Sequence, residues 1–382
     1  MPTSLPQIEI STHPTPVLRL AVPGQDPVDF HPLWLRERCR SANSVDQRTG
    51  QRLYNPSDLD PALAITSVQR GASDQILVGF SDGVESHFTE QDLIREALMQ
   101  PGHDGLPELT AWNASLNPMP EATWQERPSA DLQRDIVTKF LRYGFVILHG
   151  VPQVDQALFQ VAETFGFVRD TNFGRLFNVR SIPDANDLAY SSLALDPHTD
   201  NPYREPAPGI QLLHCLTNQT TGGLSTLVDG YACAQALRQR DPEAYRLLTQ
   251  VQSRFRFQDV DAEHIAWQPH LKLDENGVFQ AVHFSPRLDF SPMLPAAQLQ
   301  AFYDARRHLD SLLKAAEFEI RFRLDDGDLV MFDNRRLLHG RTSFDTREGV
   351  RHLQGCYIDS DGPRSLYRVL NRQGAQQMLA AE

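Results

Sequence analysis

Residues 328–344 read DLVMFDNRRLLHGRTSF, an apolar run that is followed at once by a dense cluster of polar and charged side chains. The run is short and continuously apolar, which is typical of a strand that is buried on both faces. Similar strand-like runs are FVILHG (145–150), GIQLLHCL (209–216), STLVDG (225–230), FEIRFRL (318–324) and HLQGCYI (352–358). Many short strands that do not alternate regularly with helices predict a mainly β fold, a sandwich or barrel core with helices packed outside it.

Three helical patterns accompany these strands. Residues 130–143 place their apolar side chains on one helical face, and Gly144 follows as a natural left-handed stop. Residues 154–165 repeat the pattern. A third amphipathic helix is expected from about Pro295 to Ala316.

The N-terminal quarter of the chain has a different character. VLRLAV (17–22) precedes the turn former PGQD, and ILVGF (76–80) precedes SDG, so we expect small hairpins there. DLIREAL (92–98) reads as a helix. The sequence therefore predicts a small N-terminal α+β domain over residues 1–100, a linker rich in proline and glycine over residues 101–129, and a catalytic domain over residues 130–382.

Composition excludes several classes of protein. The 382 residues include 36 Lys and Arg against 49 Asp and Glu, a formal net charge of −13. An acidic balance disfavours general binding to nucleic acids, which needs clustered basic side chains. No apolar run approaches the roughly 20 residues that span a bilayer, and no secretory signal is visible at the start. We expect a cytoplasmic protein without nucleic-acid or membrane partners, and, because no CxxC pair occurs, buried and reduced cysteines.

The most informative short motif is His198-Thr199-Asp200. In an extended segment, residues two apart point to the same side, so His198 and Asp200 could bind one metal ion together. The triplet alone is a weak signal, since His308-Leu309-Asp310 matches it too. That second copy lies in the predicted third helix, where residues two apart sit about 200° around the axis and cannot share an ion.

A third ligand would complete the set of two histidines and one carboxylate that marks non-haem Fe(II) oxygenases. The candidate is His339, which follows the strand-like run of the opening segment. Twelve residues further on, Arg351 offers a guanidinium for a cosubstrate that carries a distal carboxylate. Ser225 and Thr226, after a pair of glycines, offer hydroxyls that could hydrogen-bond the same carboxylate.

Taken together, these motifs resemble a known family. The order HTD, TGG.ST.VDG, FDN.R.LHGR and a final Arg, running from His198 to Arg351, is similar to that of the Fe(II)/2-oxoglutarate-dependent dioxygenases of the taurine-dioxygenase superfamily. HTDNPYREPAPGIQLLHCL (198–216), TGGLSTLVDG (221–230), FDNRRLLHGRTSF (332–344) and HPLWLRERC (31–39) resemble γ-butyrobetaine hydroxylase and trimethyllysine hydroxylase in particular. The likeness extends over about residues 17–370.

The resemblance implies a double-stranded β-helix, that is, a distorted jelly roll, and a homodimer. Fe(II) would be held by His198, Asp200 and His339. 2-Oxoglutarate would bind the iron and be anchored by Arg351. O2 would be the second cosubstrate, with ascorbate as an activator.

The pattern departs from the family at one place. Many γ-butyrobetaine hydroxylases have three closely spaced cysteines that bind structural zinc in the segment that matches Leu35 to Ala42. Here the segment reads LRERCRSA, and only Cys39 remains. One thiol cannot make a tetrahedral zinc site, so we expect no zinc.

The resemblance also implies a pocket for a quaternary ammonium group, which aromatic faces and diffuse negative charge hold best. Segments that match the aromatic cage of similar enzymes provide Phe173, Phe177, Tyr190 and Tyr357. Asp187 could neutralise the cation. Each of these aromatic residues is also a candidate for ordinary core packing.

The anionic end of the substrate would meet other side chains. Asn201 and Tyr203 directly follow the His-Thr-Asp motif and are expected to line the pocket, and Arg287 could pair with a carboxylate or a phosphonate. The NPYRE stretch and the missing cysteines resemble bacterial relatives that hydroxylate 2-(trimethylammonio)ethylphosphonate.

The implied reaction is hydroxylation of an unactivated C–H bond in a small trimethylammonium substrate of the γ-butyrobetaine type. It is coupled to the oxidative decarboxylation of 2-oxoglutarate to succinate and CO2. Three alternatives stay open: hydroxylation of the phosphonate analogue, oxidation of another small acid such as a sulfonate, and a non-catalytic binding protein on a cupin-like scaffold. The sequence does not choose between carboxylate and phosphonate.

Overall fold

A computed structural model of the chain describes residues 8–11, 16–21, 26–71, 74–99, 105–180 and 192–381. The chain divides into two compact units, Met1–Gly105 and Leu106–Glu382. No helix in these described ranges is long and apolar enough to cross a membrane. The four cysteines all lie in described positions, where they are buried and free of disulfides, as the sequence predicts.

The N-terminal unit consists of small antiparallel sheets and short helices. Its elements are β1 (Ile8–Ser11), β2 (Val17–Leu20), β3 (Val28–Phe30), α1 (Pro32–Glu37), β4 (Ile65–Arg70), β5 (Gln75–Phe80), β6 (Glu85–Thr89) and α2 (Glu90–Leu98). Antiparallel pairing of β2 with β3 and of β5 with β6 confirms both predicted hairpins. Apolar residues from both sheets and both helices, among them Leu20, Leu35, Val78 and Leu93, form one buried core.

Around Cys39, this unit has a network of hydroxyl groups. The buried Cys39 thiol donates to Ser41 Oγ at 3.3 Å, and Ser41 Oγ donates to Ser44 Oγ at 3.0 Å. Arg36 Nη1 also donates to Ser44 Oγ, and Arg36 Nε pairs with Asp82 at 2.8 Å. These hydrogen bonds provide partners for Cys39, Ser41 and Ser44, in the segment that matches the zinc-binding cysteines of similar enzymes. The absence of zinc stays a prediction.

The larger unit contains the remaining elements. Its helices are α3 (Ala130–Tyr143), α4 (Leu158–Phe165), α5 (Gly230–Arg240), α6 (Pro242–Gln250), α7 (Ala296–Leu313) and α8 (Asp361–Ala381). Its strands are β7 (Glu121–Thr123), β8 (Phe145–His149), β9 (Val168–Arg169), β10 (Phe177–Arg180), β11 (Leu195–His198), β12 (Ile210–Asn218), β13 (Ser225–Asp229), β14 (Gln252–Gln258), β15 (Glu263–Pro269), β16 (Leu271–Leu273), β17 (Phe279–Val282), β18 (Asp289–Phe290), β19 (Glu319–Phe322), β20 (Leu329–Asp333), β21 (Leu337–Arg341) and β22 (Arg351–Ile358).

Two facing sheets form the predicted jelly roll. The larger sheet has the order β10-β22-β12-β20-β8-β7, with β9 paired to β22, and the smaller has the order β11-β21-β13-β19. In β8, Phe145 and Ile147 join a core cluster with Leu227 and Leu337 of the smaller sheet. The alternate residue Val146 packs into a second cluster with α3 and α4. Burial on both faces explains why these strands are continuously apolar.

The three helices predicted in this unit are present as α3, α4 and α7, although α4 begins at Leu158 and not at Val154; α5, α6 and α8 were not predicted. Helix α3 ends at Gly144, which has φ 81° in the left-handed region and donates its N–H to Phe140 O. Helices α5, α6 and α7 pack with Val228 and Leu338 on the outer side of the smaller sheet. The predicted third helix is confirmed as α7, and it contains the second His-x-Asp triplet.

Candidate active site

Pairing of β11 with β21 brings the first and last candidate metal ligands together. In this antiparallel register His198 lies opposite His339, and the ring centroids are 4.4 Å apart. Asp200 Oδ1 lies 3.4 Å from His198 Nε2, and Asp200 Oδ2 lies 3.6 Å from His339 Nε2. One donor atom from each of the three residues lies within 4.8 Å of the others, an arrangement that could hold a metal ion.

Hydrogen bonds orient these side chains. His198 Nδ1 donates to the Asp196 carbonyl at 2.9 Å, which leaves the Nε2 lone pair for a metal. The Asp200 N–H donates to Asn334 Oδ1 at 2.7 Å, and Asn334 Nδ2 donates back to the Asp200 carbonyl at 2.9 Å. Tyr357 donates its hydroxyl to Asp200 Oδ2 at 2.7 Å. The carboxylate is therefore held through its backbone and its side chain.

The protonation states suit a cation. Burial raises the pKa of Asp200, but the two imidazoles and the Tyr357 hydroxyl outweigh burial, so its pKa lies below the ordinary range. Burial lowers the pKa of His339 to about 3, which leaves a neutral imidazole at neutral pH. A carboxylate and neutral imidazoles are the donors that Fe(II) takes in a facial triad, so the residues fit the metal.

A cavity of about 340 Å³ opens onto the three donors. Most of the predicted site residues line it: Phe173, Phe177, His198, Asp200, Asn201, Tyr203, Ser225, Arg287, His339, Arg351 and Tyr357. Asp187 and Tyr190 lie outside the described residues. Thr226 is not part of the lining, because successive strand residues face opposite sides and Thr226 shares its side with the outward-packed Val228.

Arg351 is buried at the start of β22, beside Gly223 and Phe344. Its Nη2 donates to the Gly223 carbonyl at 3.1 Å, and its guanidinium carbon lies 5.6 Å from the ring centroid of Phe344. Burial lowers the pKa of Arg351 to about 10, so it stays a cation at neutral pH. Its Nε is buried and has no hydrogen-bond partner in the described part of the chain. The side chain is therefore suited to a carboxylate ligand.

Aromatic rings form much of the remaining wall. Phe177 and Tyr357 lie 5.2 Å apart between centroids, and Phe173 meets Phe257 edge to face at 6.1 Å. Tyr203 stacks on Phe257 at 5.0 Å with an angle of 21° between the rings. The structure thus brings the predicted aromatic residues that it describes to one cavity.

Phe257 and Arg341 are among the lining residues that the sequence analysis did not predict. Phe257 ends an alternating run in β14, and nothing in that run distinguishes it from a core residue. Arg341 lies two residues after His339 on the same strand face, and that spacing could have predicted its place in the cavity. Arg341 Nη2 donates to the Leu193 carbonyl at 2.9 Å, and burial lowers the pKa of Arg341 to about 10.

Comparison with known proteins agrees with this geometry. The family model described as "Taurine catabolism dioxygenase TauD, TfdA family" matches residues 107–357, and "Gamma-butyrobetaine hydroxylase-like, N-terminal" matches residues 14–93. A γ-butyrobetaine dioxygenase of Pseudomonas sp. (strain AK-1) is 34% identical over 347 residues, which is 90% of this chain and 91% of that protein. The mitochondrial trimethyllysine dioxygenase of Rattus norvegicus is 29% identical over 365 residues, with 89% of this chain and 82% of that protein covered.

Solved structures show the same fold. The crystal structure of AAD-2 in complex with Mn(II) and N-oxalylglycine matches with a TM-score of 0.51 and 17% identity, over 65% of this chain and 97% of the other. The family model covers well over half of this chain, and it matches the region that contains the His-Asp-His cluster. The chain therefore belongs to the TauD/TfdA family, and it is an Fe(II)/2-oxoglutarate-dependent dioxygenase.

Proposed function

We propose that this enzyme hydroxylates an unactivated C–H bond of a small trimethylammonium substrate of the γ-butyrobetaine type. His198, Asp200 and His339 hold Fe(II), and Arg351 with Ser225 anchors 2-oxoglutarate. The observation that carries the proposal is an aromatic-walled cavity that opens directly onto the three metal donors. The relatives named as γ-butyrobetaine and trimethyllysine dioxygenases support the same substrate class.

The protein's own contribution is binding, orientation and exclusion of water. When bound, iron, 2-oxoglutarate and O2 would together supply the oxidising chemistry: O2 is the oxidant, one of its atoms ends in succinate and the other in the hydroxylated substrate, and CO2 is released. Arg351 fixes the distal carboxylate of 2-oxoglutarate with a buried guanidinium. The aromatic walls keep water away from the reacting carbon and hold the substrate in one orientation.

The cationic end of the substrate belongs beside the iron donors. A quaternary ammonium donates no ordinary hydrogen bond and is held best by aromatic faces. Phe177 and Tyr357 provide two such faces, and the Tyr357 hydroxyl donates a hydrogen bond to Asp200. A trimethylammonium group on these rings therefore keeps the neighbouring carbons close to the metal.

The anionic end has separate partners in the same cavity. Asn201 Nδ2 is buried and has no hydrogen-bond partner in the described ranges, and it belongs to a residue of the cavity lining. Tyr203 and Arg287 line the cavity with it. An amide donor and a guanidinium suit a carboxylate or a phosphonate oxygen equally well, so a substrate panel has to decide between the two acids.

The deciding experiment measures succinate formation with Fe(II), ascorbate and 2-oxoglutarate. γ-Butyrobetaine, trimethyllysine and 2-(trimethylammonio)ethylphosphonate are compared with matched analogues in which a neutral tert-butyl group replaces the cation. We expect coupled turnover of at least one cationic compound and a KM about tenfold higher for its neutral analogue. Equal kinetics for the two would refute recognition of the cation. A small sulfonate without a trimethylammonium group is also included, and turnover of that compound alone would replace the proposed substrate class.

A cage variant tests the aromatic wall directly. Phe177→Leu keeps an apolar side chain but removes the ring face, so we expect KM for the cationic substrate to rise about three- to tenfold. KM for 2-oxoglutarate should not change. The matched control is Phe167→Leu, since Phe167 is 88% exposed and lies outside the cavity lining. An unchanged substrate KM in Phe177→Leu would remove that ring from the binding site.

The two His-x-Asp triplets provide a control for the metal site. His339→Ala should abolish iron binding and turnover, with metal content measured by atomic emission after desalting. His308→Ala should retain both, because His308 lies on α7 and contacts Asp241 at 3.0 Å. Full iron occupancy in His339→Ala would show that another residue completes the ligand set.

The family resemblance also supports a homodimer in solution. Light scattering coupled to size-exclusion chromatography should give twice the chain mass of 43.2 kDa. A monomeric mass across the working concentration range would overturn this expectation.

A further inference from the structure

The hairpin of β14 and β15 presents an aromatic surface towards the turn that follows the metal-binding motif. Phe257 and His264 are directly paired across the two strands, and their ring centroids lie 6.5 Å apart with an angle of 23° between the rings. Tyr203 lies over both rings, 5.0 Å from Phe257 and 6.0 Å from His264, at angles of 21° and 13°. We call the Phe257 and His264 rings the aromatic platform. Offset, near-parallel stacking of this kind is a favourable arrangement for aromatic rings.

The platform is itself held in place. Arg204 Nη2 donates to His264 Nε2 at 3.3 Å and to Asn172 Oδ1 at 2.9 Å. A guanidinium can only donate, so His264 Nε2 is the acceptor of this hydrogen bond. His264 does not belong to the cavity lining, so it acts on a substrate only through other residues.

Tyr203 connects the aromatic platform to Asn201, a residue of the cavity lining. Its ring is 2% exposed, and its hydroxyl donates to Asn201 Oδ1 at 2.7 Å. Tyr203 thus engages the oxygen end of the amide, and Nδ2, which has no hydrogen-bond partner in the described part of the chain, is left as a donor for a ligand in the cavity. Asn201 directly follows Asp200 and has φ 52°, a left-handed backbone that asparagine adopts more readily than most other residues.

We propose that the aromatic platform positions the substrate-binding amide. Phe257 and His264 hold the Tyr203 ring, Tyr203 holds the Asn201 amide, and Asn201 Nδ2 donates to an acceptor oxygen of the substrate. His264 is thus a positioning residue, and the β14–β15 hairpin is a specificity element. This inference rests on the proposed function in that the acceptor oxygen belongs to the anionic end of the trimethylammonium substrate.

The kinetic test uses His264→Ala, with the substrate that the panel identifies. KM for that substrate should rise about three- to tenfold, while KM for 2-oxoglutarate and the iron content stay at wild-type values. His264→Phe, which restores a flat ring, should recover most of the lost affinity. Ile265→Ala is the matched control, since Ile265 is the next residue on β15 and is 50% exposed. An unchanged substrate KM in His264→Ala overturns the inference.

A double-mutant cycle distinguishes positioning from general loosening of the fold. If His264 acts through Asn201, adding His264→Ala to Asn201→Ala should raise KM no further. Full additivity of the two changes refutes the proposed path.

Crystal structures of the wild type and of His264→Ala test the platform without any substrate. The Tyr203 ring should tilt or become disordered in the variant, and the Asn201 amide should lose its bond to Tyr203. If the Tyr203 and Asn201 side chains keep their positions in the variant, the inference is refuted, whether or not any trimethylammonium compound is turned over. If these side chains move but no compound of the panel is turned over, only the proposed function is refuted.

Discussion

Tyr357→Phe is the most informative single substitution, because Tyr357 takes part in both halves of the site. Its hydroxyl donates to Asp200 Oδ2 at 2.7 Å, and its ring contacts Phe177 in the cavity wall, with the ring centroids 5.2 Å apart. A hydrogen bond to a charged acceptor contributes about 1.5–3 kcal/mol. Loss of such a partner of a metal ligand typically weakens metal binding about 10- to 100-fold. The phenylalanine keeps the aromatic face, so we expect KM for the cationic substrate to change less than about twofold.

The assay is an anaerobic Fe(II) titration of the metal-free protein, followed by intrinsic fluorescence, with Mn(II) as a redox-stable second probe. In the variant, the dissociation constant should rise within the stated range, and excess Fe(II) should restore most of kcat. Tyr303→Phe is the control, since Tyr303 is 42% exposed on α7 and does not line the cavity. Wild-type metal affinity in Tyr357→Phe, or a large rise in substrate KM with no metal defect, would refute the reasoning.

Three further predictions concern the cosubstrate and the anionic end. Gly223→Ala should raise KM for 2-oxoglutarate about tenfold or more, because the added methyl would lie 2.8 Å from Arg351 Nε and the backbone has φ 67°. A wild-type KM would show that the Arg351 side chain can move aside without losing its function. Ser225→Ala should raise KM for 2-oxoglutarate about fivefold while Thr226→Ala leaves it unchanged, because only the former hydroxyl faces the cavity; the reverse order would mean that the strand faces are assigned wrongly. Arg287→Ala should raise KM for the anionic substrate about 10- to 100-fold and leave KM for 2-oxoglutarate unchanged, as measured by initial succinate rates. A rise in KM for 2-oxoglutarate with an unchanged substrate KM would assign Arg287 to the cosubstrate instead.

The sequence predicted the fold class because its signals are local. A short apolar run flanked by turn residues indicates a buried strand wherever it occurs, and the runs at 145–150 and 328–333 form adjacent strands β8 and β20. The His198 and Asp200 pair was also predictable, since same-side spacing in an extended segment is a property of two or three residues. His339 lies 141 positions from His198, so its sequence context made it only a candidate, and the family resemblance strengthened it; strand register is what brings the two together.

Two features of the site could not be predicted from the sequence: which residues of a strand face the cavity, and which aromatic rings from remote segments contact each other. Ser225 and Thr226 are chemically similar neighbours, and the choice between them depends on which face of β13 the sheet buries. Phe257 could have been an ordinary core residue, because its place in the cavity depends on stacking with Tyr203, 54 positions away in the chain. Contacts between elements that are remote in sequence leave no periodic signal.

Strand β22 shows how one strand face sets the geometry of the whole site. Alternate residues of a strand share a face, and Arg351, Leu353 and Tyr357 all line the cavity. Gly355 has the same parity, and a Cβ there would lie 2.3 Å from Phe177 Cε2, so the missing side chain makes room for that ring. At about 3.3 Å per residue, the six positions from Arg351 to Tyr357 span roughly 20 Å. The cosubstrate anchor and the aromatic wall beside Asp200 are therefore held apart by a fixed length of one buried strand. A one-residue shift of β22 would turn both away from the metal donors together.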